Sequence, residues 1–465
     1  MRDLDAIIKA YDVRGTYPDQ LDEDLAHRVG AAFVKVLGIS AADGGPGAVV
    51  IGHDMRPSGP SLVASFAEGV REQGCDVILI GLASTDGLYF ASGHLGLPGA
   101  MFTASHNPAK YNGIKLCRAG AAPVGQDTGL REIKAMVAET IPAADVPLGA
   151  VREQDTLAAY ASYMRELVDV SGSRHLSAVV DAGNGMGGFT VPAVLGDACG
   201  LPALPLSIDA MYFELDGTFP NHEANPIEPE NLRDLQARVR ETGADIGLAF
   251  DGDADRCFVV DERGEIVSPS TLTALIAARE LAKHPGSTVI HNLITSRAVP
   301  EVILENGGVP VRTRVGHSFI KATMADTGAV FGGEHSGHFY FRDFWRADSG
   351  MLAALHTLAA LGETAPGVTL SSLLAPYDRY FASGEINTEV LDQAGVTADI
   401  KAEYVARGGS EMDELDGLTV NGDSWWFNVR PSNTEPLLRL NVEAADEASM
   451  AALRDEVLAM MRTGA

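Results

Sequence analysis

Basic residues are scarce in this chain: 35 Lys and Arg face 63 Asp and Glu, for a formal charge of −28. That deficit argues against a nucleic-acid binder and against a protein resting on an anionic membrane, since both need a basic face. It also sets a condition: an acidic chain that binds anions must gather its few cations in one place. Cysteine is scarce too. Cys75, Cys117, Cys199 and Cys257 stand far apart with no CxxC pair, the usage of reduced, structural thiols in a cytosolic protein. No apolar run approaches the ~18 residues of a membrane span. The opening MRDLDAIIKAYDVRG has no apolar core of signal-peptide length and carries acids early. What is present is ordinary globular composition, 46% apolar and 21% charged. Glycine is enriched, at 50 of 465 residues against a usual ~7%. At roughly 100–200 residues per domain the length predicts about three or four domains.

Apolar strands alternate with amphipathic helices along most of the chain. GAVVIGHD (47–54), DVILIGL (76–82) and GAMFTAS (99–105) read as short strands, with helical spacing in 25–37 and 60–74 between them. SAVVDAGNG (177–185) and ADIGLAFDGD (244–253) repeat the pattern around a helix over 231–243 that ends in Gly. STVIHNL (287–293), PVRTRV (310–315) and AVFGGEHSG (329–337) repeat it again. Strand–helix–strand repetition predicts α/β layers. The expected units are 1–150, 151–258 and 259–372, followed by a different α+β unit over 373–465. That last unit holds two strands around a Pro-bracketed loop (424–444) and a closing helix (445–462).

Four loops carry chemistry. In TASHNP (103–108), Ser105 follows a strand and precedes a Pro that stops helical continuation. Its hydroxyl suits a covalent nucleophile or phosphate carrier, against the plain reading of a capping turn Ser. His106 is its neighbour in sequence, and adjacent side chains seldom point the same way, so His106 reads as structural support. In DGDADR (251–256), Asp251, Asp253 and Asp255 suit a hard divalent cation taking oxygen ligands. An EF-hand loop competes through Glu262, but its sixth position is Arg256 instead of Gly, and the flanks read as strands. In GGEHSGH (332–338), Glu334, Ser336 and His338 alternate after a strand and can hydrogen-bond adjacent sugar hydroxyls. In RPSNTEP (430–436), Arg430 offers a forked cation and Ser432, Asn433 and Thr434 neutral donors, a set that fits a phosphate dianion. A fifth loop, DAGNGMGG (181–188), lacks GxGxxG spacing and reads as a structural turn, with Asp209 the nearest acid a nucleotide ribose could use.

These four loops, in this order, resemble the α-D-phosphohexomutase superfamily from YDVRG (11–15) to the last domain. The resemblance implies four domains around a central cleft, three related α/β/α units and a smaller C-terminal α+β domain, each giving one loop. It implies that Ser105 is a phosphoserine, that Asp251, Asp253 and Asp255 hold Mg2+ together with an oxygen on Ser105, and that Glu334 and Ser336 are the sugar-recognition pair, to which the loop reading adds His338. It also implies that Arg430, Ser432, Asn433 and Thr434 cradle the non-reacting phosphate. Arg14, Lys115, Arg256 and His317 match family positions near the reacting phosphate. Thr103 and His335 stand where the glucosamine-specific branch typically has Ser and Gln. The resemblance therefore lies with bacterial phosphomannomutases and phosphoglucomutases, and NLITSRAVP (292–300) inclines it toward mannose.

On that footing the expected reaction moves phosphate between the 1- and 6-positions of a mannose or glucose phosphate through a hexose 1,6-bisphosphate, which also serves as activator. Hexose phosphates are the expected partners, with no nucleic acid and no membrane. Lys115 is the first candidate for the proton, on the expectation that clustered cations lower its pKa, and His317 the second. The last domain is expected to close over substrate through 370–380.

Overall fold

The computed structural model describes residues 3–432 and 437–463. The side chain of His317, together with Asn433 and Thr434, lies outside the described residues.

Three sheets share one strand order. In the first, Ala48–His53 is flanked in parallel by Asp76–Leu82 and Gly99–Phe102, and Gly99–Phe102 turns back as the antiparallel Tyr111–Arg118. In the second, Leu176–Asp181 lies between Leu206–Met211 and Ile246–Phe250, which turns back as Cys257–Asp261. In the third, Thr288–Asn292 lies between Val309–Thr313 and Phe331–Gly333, which turns back as Phe339–Phe341. Burial follows from this pairing: the central parallel strands and those that turn back are covered on both faces and read as near-continuous apolar runs, whereas the outer strands Leu206–Met211 and Val309–Thr313 are only partly covered. The threefold repetition is invisible to residue identity, because any apolar set with this rhythm builds the same layers.

The fourth sheet is antiparallel, in the order Phe381–Glu389, Leu437–Ala444, Trp425–Pro431, Leu418–Asn421, Glu411–Asp413. It packs under the helices Gln393–Arg407 and Glu447–Thr463 around a core of its own. One apolar core lies within the first domain, while a second, continuous core is shared by the second and third and takes in Tyr89, Phe90, Cys117 and Ala121 of the first. Trp426 rests on Leu293 and Ile294, joining the fourth domain to the third.

Sheet pairing corrects the expected boundaries. Val151–Glu153 pairs with Asp76–Leu82 and belongs to the first sheet, so the first unit runs past 150. Position 258 falls inside Cys257–Asp261, which also carries Ile266–Val267 as the edge of the second sheet. At 372 the chain is still on the third domain: Leu370 and Leu374 are buried in the shared core, and Arg379 and Tyr380 bind Glu301 and Glu305. The last domain therefore begins after 372, with its first strand opening at Phe381.

One further expectation changes. Glu23–Asp43 contains an 18-residue window of mean hydropathy 1.3, long and apolar enough by composition to cross a bilayer. Here the apolar side of its helix Glu23–Leu37 is spent on the helix Gly59–Arg71. The two backbones meet at glycines, since a Cβ on Gly30 would sit 2.3 Å from the Phe66 carbonyl oxygen and one on Gly69 2.1 Å from that of His27.

Candidate active site

All four chemistry-bearing loops connect the two arms of an antiparallel hairpin, and in the first three domains it is the same hairpin of the repeated sheet. Equivalent hairpins carry equivalent loops to a common cleft. The metal loop and the sugar loop are joined directly by an antiparallel bridge between Arg256 and His338.

Ser105 takes a left-handed backbone, φ +50°, uncommon for a residue with a side chain. The strain is held from several sides. Its N–H donates to Thr103 Oγ1 at 2.9 Å. Its carbonyl lies against Gly252, where a Cβ would come within 2.4 Å. Arg56, buried and missed at the level of sequence, donates to the carbonyls of Ser105 (2.9 Å), Asn107 (2.6 Å), Pro108 (3.0 Å) and Tyr111 (2.9 Å). Asp54 accepts the remaining Nε–H at 3.2 Å. The only sequence signal was a charged pair directly after a buried strand. The result is that the Ser105 hydroxyl points across the domain boundary and donates to Asp251 Oδ2 at 2.8 Å.

The expectation that Ser105 and His106 diverge is corrected: with φ positive, His106 Nδ1 comes to 3.2 Å from Ser105 Oγ. The supporting role stands on other grounds. Burial, and then the charges of Arg256 and Arg14, push the imidazole down to about 2, so it stays neutral.

The three aspartates are buried and their ligand oxygens lie within 4.8 Å of one another. Asp251 is satisfied by protein: Arg256 reaches its Oδ2 through Nε at 3.0 Å, and the Arg256 backbone N–H reaches Oδ1 at 3.2 Å. Asp253 and Asp255 are each half satisfied. Lys115 Nζ donates to one oxygen of both, at 2.7 Å, while the other oxygen, Oδ1, is buried without a hydrogen-bond partner. Bare carboxylate oxygens in a buried site are expensive, and hard cations seek such donors. The set fits a divalent ion such as Mg2+. Burial, only partly opposed by Arg256, raises Asp251, whereas Lys115 outweighs burial at Asp253 and lowers it. The flanks of 251–256 are paired strands, which disposes of the EF-hand reading.

Lys115 corrects a second expectation. Burial works against its charge, but Asp253 and Asp255 hold the ammonium well above its ordinary value. The neighbours that matter are anions rather than the clustered cations expected, and they favour the charged ammonium.

Glu334 is buried and accepts from Tyr340 Oη at 2.6 Å and from Gly316 N–H at 3.1 Å. Ser336 Oγ and His338 Nδ1 are 3.0 Å apart, and His338 Nε2 lies 3.7 Å from Asp255 Oδ1. Arg14 donates to Asn107 Oδ1 at 2.6 Å and pairs with Asp12. A cavity of about 300 Å3 is lined by Arg14, Ser105, Lys115, Asp255, Arg256, Glu334, Ser336 and His338. The cations that an acidic chain needs for binding anions are thus collected at one point.

Among the described residues, the fourth loop stands apart from that lining. Arg430 donates to Glu385 at 2.6 Å, and Arg439, opposite it in the sheet register, donates to the same carboxylate at 3.1 Å. Arg439 was not singled out from sequence, because only strand pairing sets it beside Arg430.

The Gly-rich 181–188 stretch is a structural turn as expected. Met186 N–H donates to the Gly252 carbonyl at 2.9 Å, so the turn props the metal loop, and Asp209 pairs with Arg238. His222 clamps this turn through Asp181 Oδ2 at 3.0 Å. Burial opposes the His222 proton, but the hydrogen bond and charge of Asp181 prevail and raise its pKa above 6.5. Stability from this pair is therefore fully present below the unfolded value and lost as pH rises through the folded one. The melting-temperature difference between the native protein and His222→Asn is expected to be largest near about pH 6 and to shrink toward about pH 9. An unchanged difference in thermal melts would remove the ionised pair from the account.

Comparison with known proteins agrees with this architecture. The chain matches the phosphoglucomutase/phosphomannomutase family in all four parts: alpha/beta/alpha domain I over 5–143, domain II over 158–264, domain III over 269–380 and the C-terminal domain over 385–460. The chain belongs to that family, the phosphohexomutases. It is 41% identical to a protein of Xanthomonas campestris pv. campestris named for phosphohexose mutases, over 98% of this chain and 99% of that one. It is 39% identical to a phosphomannomutase of Escherichia coli, over 98% of each. A crystal structure of a phosphoglucomutase/phosphomannomutase family protein from Burkholderia thailandensis superposes with a TM-score of 0.88 at 32% identity, covering 100% of this chain and 98% of that one.

Proposed function

We propose that this protein interconverts mannose 6-phosphate and mannose 1-phosphate through a phosphorylated Ser105 and a hexose 1,6-bisphosphate, with glucose phosphates as second substrates. One observation carries the reading: the strained Ser105 hydroxyl bonds directly to the acidic cluster at the wall of a cavity that Glu334, Ser336 and His338 also line. The glucose activity has a specific support, a relative from Pseudomonas putida, 36% identical over 97% of this chain, named phosphomannomutase/phosphoglucomutase. Reduced, unpaired cysteines are in keeping with action in the cytosol.

The residues divide the work as follows. Phosphorylated Ser105 carries about −1.5 to −2 charges and can no longer donate to Asp251. Asp251, Asp253 and Asp255 would hold a divalent ion, which supplies charge stabilisation for the phosphoryl oxygens. Lys115, Arg256 and Arg14 bring fixed positive charge to the same oxygens, preorganised by their carboxylate and amide partners. Glu334 and Ser336 orient the ring hydroxyls. In the first transfer the bond from phosphorus to Ser105 Oγ breaks as one forms to the free sugar hydroxyl. That hydroxyl gives up its proton, and Oγ regains one. The bisphosphate turns over and returns its other phosphate to Ser105 by the reverse step, with no net loss of phosphate. Besides Lys115, whose carboxylate neighbours favour its charged form, two imidazoles are candidates for the proton: His317, named from sequence, and His338, which lines the cavity. Arg430, Ser432, Asn433 and Thr434 would grip the distal phosphate once the fourth domain turns inward at Phe381, where Glu385 would yield Arg430 to the stronger dianion.

The deciding assay gives purified protein, Mg2+ and a trace of glucose 1,6-bisphosphate mannose 1-phosphate, glucose 1-phosphate and glucosamine 1-phosphate side by side. Isomerisation of the first two is expected. Release of free phosphate, or a preference for glucosamine 1-phosphate, would overturn the reading.

A further inference from the structure

The helix Thr85–Leu95 begins with residues that sequence reading passes over as an ordinary cap: Ser84 receives the Gly87 N–H, as an N-cap does. Two residues of its first turn do something else. Thr85 lies in the first domain but bonds to the second: its N–H donates to the Asp253 carbonyl at 3.0 Å and its Oγ1–H to Asp253 Oδ2 at 2.6 Å. Asp86 is wholly buried and accepts from Ser84, from Tyr160 Oη of the second domain at 2.9 Å and from Ser349 Oγ of the third at 2.6 Å. Ser349 in turn caps the helix Gly350–Gly362. Gly350 is pressed so closely on the metal loop that a Cβ there would sit 2.6 Å from the Arg256 carbonyl.

We infer that Thr85 is the positioning residue for the metal ligand Asp253, and that Asp86 anchors it by fastening the first domain to the second and third. The inference rests on the metal reading given above. Its physical content lies in how the Asp253 oxygens are shared out. Oδ2 takes two donors, Lys115 and Thr85, while Oδ1 is buried and takes none. Two bonds to one oxygen fix the rotation of the carboxylate and leave the other oxygen bare. Without the Thr85 hydroxyl, Lys115 alone holds the group, and it is shared with Asp255. Partners that orient a ligand without touching the metal are commonly worth about 10–100-fold in metal affinity. Asp86 matters because Thr85 can aim a group on another domain only if the domains keep register. A carboxylate accepting hydroxyls from three sides supplies that register at the point where the domains meet.

Direct Mn2+ binding, by calorimetry and by the electron paramagnetic resonance of free Mn2+, tests this without recourse to turnover. Thr85→Val keeps shape and removes the donor. Its Mn2+ dissociation constant is expected to rise by about 10–100-fold, and Thr85→Ser is expected to recover most of the loss. Asp86→Asn, with Thr85 intact, is expected to weaken Mn2+ in the same direction. If Thr85→Val fails to fold, Thr85→Ala gives the same reading. Variants at Thr85 that bind Mn2+ within about twofold of the native protein would overturn the inference whatever their activity, since a change that small is far below the expected loss. Native binding at Asp86→Asn would overturn the anchoring role. Failure of the native protein itself to bind Mn2+ is a separate outcome, which would overturn the metal reading before Thr85 is in question.

Discussion

Ser105→Ala is expected to lower mutase turnover on the order of 10^4-fold or more, as removal of a covalent nucleophile does, while leaving the fold intact. The fold should survive because the hydroxyl's partner, Asp251, keeps both its bonds to Arg256. The left-handed turn is secured by the Arg56 and Thr103 bonds, neither of which involves the Ser105 side chain. The measurement is isomerisation of mannose 1-phosphate with saturating bisphosphate, beside a thermal melt. Mass spectrometry of the peptide containing residue 105 should find phosphate in the native protein only. Alanine turnover within about tenfold of native would mean that phosphate passes between sugars without visiting the chain, because a displaced covalent step cannot be so cheap.

Arg56→Met is expected to have the largest effect on stability, a loss of about 3–5 kcal/mol, the usual consequence of removing one partner of a buried ion pair. Asp54 would be left buried without its cation, and four loop carbonyls would lose their donor together. Burial already raises Asp54 against the pull of Arg56, so the carboxylate has no reserve once the guanidinium is gone. Arg56→Lys should recover only part of the loss. A point-like ammonium has three donors and no fork, so it cannot hold four carbonyls and a carboxylate in one plane. Urea denaturation is the check, with the midpoint of Arg56→Met expected to fall well below that of the native protein. Turnover should fall as well, since the loop that turns Ser105 toward Asp251 would relax. Arg56→Met with native stability would show that the loop geometry is held by the backbone alone.

Two cations named from the sequence illustrate the difference between knowing a residue and knowing its state. Arg256 was placed correctly beside the acidic loop, because the two are neighbours in the chain. Lys115 was placed in the cleft, but its charge was misjudged. Which neighbours set its pKa depends on Asp253 and Asp255, over 130 residues away in sequence and 2.7 Å away in space.

The alternating apolar runs dictated the layers, and the four polar loops announced the site, since strand rhythm and clustered carboxylates or hydroxyls are written in consecutive residues. The threefold sheet order, the seams at 153, 267 and 381, and the work of Arg56, Thr85, Asp86 and Arg439 were decided only by tertiary structure. Each depends on which strand edge or helix end meets which. A hydrogen bond between domains leaves no local mark: Thr85 reads as a capping-turn residue until Asp253 is folded against it.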